Sequence, residues 1–250
     1  MKILYSELKK IKKNYILLFP IAFNIYFIIT IYNDSFIENI TFPGYLISCV
    51  LFMHVIYGVF FATFASSLIM HNDFQWNTLL YNTRSMSRTK IYLIKELMVV
   101  IFSFFCLIFS IAFLLFICIL NGNLRSLTGY NLIIQFFTIL FYLITVGSYS
   151  LSLTLITKSS IFAIIISSLL SFIEPGLYSF ISDKHLKWLP FYNFRSIFYR
   201  IFDNLKIPSM FIVPKSNYPP IGFSIVYVLI FSLLPIVAGL LYINKYEIRT

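Results

Sequence analysis

Apolar residues fall in long runs separated by short polar gaps, and the runs dictate the architecture. Six of them, over 15–32, 44–70, 91–120, 132–156, 161–182 and 221–243, have the length of membrane segments. A helix crosses a hydrocarbon core of about 30 Å with about 20 apolar residues. The fifth run is the exception, because Glu174, Pro175 and Gly176 interrupt it after about a dozen apolar positions. This predicts a broken or re-entrant segment at the outer face, tolerated where protein or water satisfies its backbone. The expected fold is an all-α integral membrane protein with six transmembrane helices, forming a single transmembrane domain over 1–250.

The polar segments orient these spans. Residues 1–14 place Ile3, Leu4, Leu8 and Ile11 at helical spacing while Lys9, Lys10, Lys12 and Lys13 crowd the remaining surface. That is an amphipathic helix at the membrane interface, an anchor for the first span or an element that transmits movement. The connector after the first span carries Asp34 and Glu38 and no basic residue. The N-terminus is therefore expected in the cytoplasm and this connector outside. By parity the C-terminus, with Lys245 and Arg249, is cytoplasmic too, and 183–220 is an extracellular region. That region holds many aromatics, five prolines and six basic residues.

Between the second and third runs lies a polar, basic island from His71 to Glu96. Phe74, Trp76, Leu79, Leu80 and Tyr81 give it an apolar stripe, so about 74–82 reads as a short helix along the membrane surface. Asp73 sits where an N-cap or first-turn acid favours the helix dipole. One reading is a docking helix within a cytoplasmic region spanning 72–90. The other is an ordinary connector carrying stop-transfer charge.

Composition supports the membrane reading and narrows the chemistry. The chain is 60% hydrophobic and 11% charged, against about a quarter charged in soluble domains. Its net charge of +10 comes from basic residues flanking the spans, which fits a membrane surface and no nucleic acid. Cys49, Cys106 and Cys118 all lie in apolar runs and imply neither disulfide nor metal. The basic start leads into an apolar run without a cleavage-site pattern, so the first helix is expected to be retained. The sequence holds no phosphate-binding loop, no H-E-x-x-H and no G-x-S-x-G. A non-catalytic chain without metal or cofactor of its own is expected.

A few polar positions fall inside the spans. His54 is a candidate for function, with a packed, hydrogen-bonded histidine facing another helix as the leading alternative. Gly147, Ser148, Ser150, Ser152 and Thr154 suit close helix packing, and a serine face could also line a path. Glu174 joins His54, Ser148 and Ser152 as a possible substrate path.

The order of elements resembles the ABC-2-type permeases, over the whole chain. The specific part is the island: Asp73, then Trp76-Asn77-Thr78-Leu79-Leu80, then Ser87-Arg88-Thr89-Lys90, then Tyr92-Leu93-Ile94-Lys95. Such permeases often carry Glu at the position of Asp73 and Pro before the Ser-Arg step, where this chain has Met86. Size and the absence of a large outer domain look most like the small permeases of Gram-positive bacteria that handle antimicrobial peptides, lantibiotic immunity exporters among them. The resemblance implies two copies of a separate ABC ATPase, which use ATP and Mg, docked on a cytoplasmic coupling helix. It also implies a second permease, like or related, in the cell membrane. The docking set would be Asp73, Phe74, Trp76, Leu79, Leu80, Arg84, Ser87, Arg88 and Lys95. The cargo would be an amphipathic peptide or another hydrophobic compound. A membrane anchor, sensor or assembly factor stays open as the rival, and an ion-coupled secondary transporter as a third reading.

Overall fold

A computed structural model describes residues 18–37, 43–75, 87–121, 131–178, 180–181, 183–202 and 218–245. Every regular element among them is helical. Helix α1 covers Leu18–Ile37 and α2 Pro43–Met53; a π-helical turn, His54–Gly58, joins α2 end to end with α3, Val59–Gln75. Helix α4 follows over Arg88–Leu120, α5 over Leu132–Thr157 and α6 over Ser160–Leu177. Two short helices, α7 (Asp183–Leu186) and α8 (Pro190–Ile201), precede α9, Ile221–Lys245. The expected interfacial helix 1–14, with Lys9, Lys10, Lys12 and Lys13, lies outside the described residues, as do Trp76, Leu79, Leu80 and Arg84.

Among the described residues, three helices, α4, α5 and α9, are long and apolar enough to cross a membrane; α2 and Ser160–Ser171 are shorter apolar helices. At about 1.5 Å per residue, the 33 residues of α4 reach roughly 50 Å, well beyond the hydrocarbon core. Its outward faces are greasy, with Phe105, Phe116 and Ile119 exposed. In water such a surface would be an aggregation hazard; in lipid it is the ordinary outer face of a bundle.

Helix α5 is the hub and packs on α3, α4, α6 and α9. Small residues allow this. A Cβ on Gly147 would lie 2.6 Å from Val99 Cγ1 and 2.8 Å from Ser66 Oγ, so only glycine lets α3, α4 and α5 meet there. Around it a ladder of hydroxyls links the helices: Ser67 Oγ to Ser150 Oγ at 2.6 Å, Thr154 Oγ1 to Ser67 Oγ at 3.0 Å, and Thr63 Oγ1 to Ser168 Oγ at 3.3 Å. Of the two readings of the serine-rich face, the geometry follows close packing.

Two prolines sit inside apolar helices without ending them. Helix α6 continues through Glu174, Pro175 and Gly176 to Leu177, where the sequence predicts a break. Proline cannot donate to the carbonyl four residues back, which for Pro175 is that of Ser171. Arg195 of α8 supplies the missing donor, Nη2 to Ser171 O at 3.1 Å. Helix α9 runs through Pro235, and the carbonyl left over there, Phe231 O, accepts from Tyr149 Oη of α5 at 3.0 Å. Each freed carbonyl is taken up from another helix.

The expected extracellular stretch 183–220 is in part a packed element. Helix α8 buries Phe191, Tyr192, Phe194, Phe198 and Tyr199 in the larger core. Tyr142 of α5 meets the rings of Phe191, Phe194 and Phe198 edge-on at 6.0, 5.2 and 5.4 Å, the favoured geometry for aromatic pairs. A second, smaller core gathers Ile69, Met70, Tyr92, Met98, Leu151, Leu155 and Ile243 at the end of the bundle that carries Asp73 and Ser87.

Candidate functional site

The joint between α3 and α4 flanks the island. Lys95 Nζ lies 2.7 Å from Asp73 Oδ2, and the side chains are 1% and 0% exposed. The same ammonium donates to Ile69 O at 3.0 Å. Helix α3 extends past Met70 to Gln75, so Asp73 lies in its last turn, where the sequence predicts the start of a separate short helix. A carboxylate there opposes the helix dipole; the lysine offsets it. Two residues expected among the docking contacts are thus buried against each other in this chain.

The Ser-Arg step has a local role as well. Ser87 is the N-cap of α4, its hydroxyl accepting from Lys90 N at 3.4 Å. Arg88 Nη1 donates to Asn244 O at 3.5 Å and Thr89 Oγ1 to Asn244 Oδ1 at 3.2 Å. The start of α4 is therefore tied to the end of α9. Phe74 belongs to the last turn of α3.

One turn further along α4, a polar cluster that sequence reasoning missed forms around Glu96. Tyr92 Oη donates to Glu96 Oε1 at 2.5 Å and Ser148 Oγ to Oε2 at 2.6 Å. Ser152 Oγ contacts Tyr92 Oη at 2.8 Å and donates to Pro235 O at 2.7 Å. Gly239 makes room for the phenol, since a Cβ there would fall 2.2 Å from Tyr92 Oη. Ser148 and Ser152, expected along a substrate path, belong to the cluster around a buried carboxylate between α4, α5 and α9. The signal was in the sequence as the spacing Tyr92–Glu96, one helical turn, but Glu96 reads there as the closing charge of the polar island.

His54 opens the π-helical turn, and its ring is held on both sides. Nδ1 lies 2.7 Å from Val50 O and Nε2 3.1 Å from Ser110 Oγ. A carbonyl only accepts, so the proton sits on Nδ1. Asn24 of α1 donates to Ser110 Oγ at 2.7 Å and to Cys106 Sγ at 3.5 Å. Gly58 closes the turn where a Cβ would press on Leu143 at 2.9 Å and on His54 Cβ at 3.0 Å. π-Turns inside α-helices concentrate at functional sites. Here the turn borders a cavity of about 360 Å³, walled by Phe27, Met53, Tyr57, Phe61 and Phe64 with the Asn24–His54 cluster at one end.

Glu174, the fourth expected path residue, caps α8. Its carboxylate accepts from Phe191 N at 3.0 Å, from Tyr192 N, and from Tyr178 Oη at 3.2 Å. The N-cap residue of α8, Leu189, has no side chain able to do this, so the capping acid comes from α6. Basic residues of the same region are also committed: Arg200 Nη2 donates to Pro219 O at 2.6 Å and stacks over Tyr218 at 5.4 Å. Burial pushes the Tyr199 phenol up to about 12, so it stays neutral among these rings. Of the four path residues, only His54 lines the cavity.

The three long apolar helices and the greasy outer surface mark a helical membrane protein. No protein-family model matches the chain, and a search of the curated proteins finds no match.

Proposed function

We propose that the chain is the membrane-spanning permease subunit of an ATP-driven exporter of the ABC-2 type, moving amphipathic peptides or other hydrophobic compounds out of the membrane or cytoplasm in self-immunity or resistance. Two copies of a separate ATPase act on the region 72–90, and a second permease completes the assembly. The proposal includes six spans with both termini in the cytoplasm. The observation that carries it is the buried Asp73–Lys95 joint, which brackets residues 76–86 and binds the end of α3 to the start of α4. A segment fixed at both ends to one joint passes a push to both helices together. The contacts of Arg88 and Thr89 with Asn244 carry that push on to α9. With no phosphate loop in the sequence, the energy enters from a partner.

An ion-coupled transporter would want its acids near the bilayer midplane. Glu96 lies eight residues into α4, about 12 Å from its start, and Asp73 is closer still to the island. Both belong to the end where the motor docks, which favours a structural use.

The test is co-purification. A tagged chain co-expressed with an ABC ATPase encoded beside it should retain that subunit, and Trp76→Ala with Leu79→Ala should lose both the ATPase and peptide resistance while staying monodisperse. Intact co-purification and resistance in that double variant would sink the docking assignment.

A further inference from the structure

We infer that the cavity at the π-turn is a binding site for a neutral amphiphile: a chain or ring body of about a dozen carbon atoms carrying one hydrogen-bond-donating head. The size follows from the roughly 360 Å³ of space, about a dozen liquid-water volumes and inside the usual range for small-molecule sites. The body follows from the walls, which are aromatic and aliphatic side chains of α1, α2, the π-turn and α3.

The head follows from Asn24. Its amide nitrogen is committed to Ser110 and Cys106, while its carbonyl oxygen makes no hydrogen bond among the described residues. It offers an acceptor to a hydroxyl or an amide N–H. Neutrality follows from the lining. His54 is the one ionisable side chain there besides Tyr57 and Cys106, and both its ring nitrogens are engaged. A charged head would lie beside no opposite charge and be strongly penalised. Access is from the side, since Phe60 on the cavity wall is 47% exposed on the bundle's outer surface and Ile164 of α6 forms part of the rim. That is where a solute dissolved in the bilayer would arrive.

This rests on the proposed function only in that a hydrophobic cargo would meet the same cavity, and it is tested without any ATPase. The full chain in phosphatidylcholine nanodiscs is photolabelled with a diazirine-bearing hexylphenol, and the labelled peptides are mapped by mass spectrometry. Label is expected around residues 24–31, 50–64 and 106, and dodecanol should suppress it. Dodecyl methyl ether, which lacks the donor, should compete about three- to tenfold more weakly. In Asn24→Leu, alcohol and ether should become equal. Ile164→Trp, which fills the cavity from the rim and leaves the Asn24 cluster alone, should lower labelling by either head. Equal competition by alcohol and ether in the native chain overturns the proposal, as does label spread over the outer faces and indifferent to dodecanol. An amphipathic peptide displacing the probe where dodecanol does not would make this a peptide site and overturn it too. Failure here leaves the docking test untouched, and failure of that test leaves the site standing.

Discussion

Lys95→Met is the most informative single change at the joint. It keeps the length and apolar stem of the side chain but removes the ammonium that faces Asp73 at 2.7 Å and Ile69 O at 3.0 Å. Asp73 is 0% exposed, so its carboxylate cannot turn to water. Breaking one side of a buried ion pair costs about 3–5 kcal/mol. For a chain of this size about 1 kcal/mol moves the melting temperature by roughly 2–4 °C, so a drop on the order of 6–20 °C is expected. The assay is thermal unfolding in detergent, followed by loss of the monodisperse peak in size-exclusion chromatography. Asp73→Leu alone should also destabilise, leaving the buried ammonium without its carboxylate. The decisive variant is the pair, Asp73→Leu with Lys95→Met. Two apolar side chains of similar volume remove both desolvation penalties, and stability should return to within about 1 kcal/mol of native. If the single changes were each harmless, or if their effects simply added in the pair, the two residues would not be coupled, and the joint could not be the rigid base through which force enters.

Three further outcomes test the remaining polar clusters. Gly239→Ala drives a methyl to 2.2 Å from Tyr92 Oη and should lose about 1–3 kcal/mol by thermal unfolding, a loss that largely disappears in a Tyr92→Leu background. Glu96→Leu removes the acceptor shared by the Tyr92 and Ser148 hydroxyls and should be worse than Glu96→Gln, whose carbonyl still accepts; the difference is expected at about 1–3 kcal/mol in the same assay. Glu174→Leu removes the acceptor for the N–H groups of Phe191 and Tyr192, so amide exchange over 190–201 should quicken markedly, with Glu174→Gln intermediate. Unchanged exchange would mean that α8 is held by its aromatic face alone.

Part of this molecule was plain from hydrophobic runs. The three long helices α4, α5 and α9 fall where apolar stretches predict spans over 91–120, 132–156 and 221–243, with boundaries shifted by a few residues. Ser87 begins α4 earlier than the apolar run because an N-cap is a polar signal, invisible to a reading based on greasiness. Asp73, expected to open a short docking helix, ends α3 for the complementary reason. A charge at the end of an apolar run looks solvated until its partner is known, and Lys95 is 22 positions away. Helix α8 was hidden by composition: prolines and basic residues in 183–220 speak for a loop, yet Pro190 stands at a helix N-terminus, where proline fits, and the aromatics share one face.

The two internal prolines show the limit most clearly. Pro175 and Pro235 each announce a break to any local rule, and in isolation each would leave a carbonyl bare at membrane depth. The donors that keep α6 and α9 intact, Arg195 and Tyr149, come from other helices, and nothing in the neighbourhood of either proline names them. The same holds for the cavity. His54 stood out as a lone ionisable residue in a span, but the amide of Asn24 and the hydroxyl of Ser110 that complete its cluster are 30 and 56 positions distant. Local chemistry marks where a helix is in need; which helix answers is set by packing around α5. That is why the three long helices were legible and their polar contacts were not.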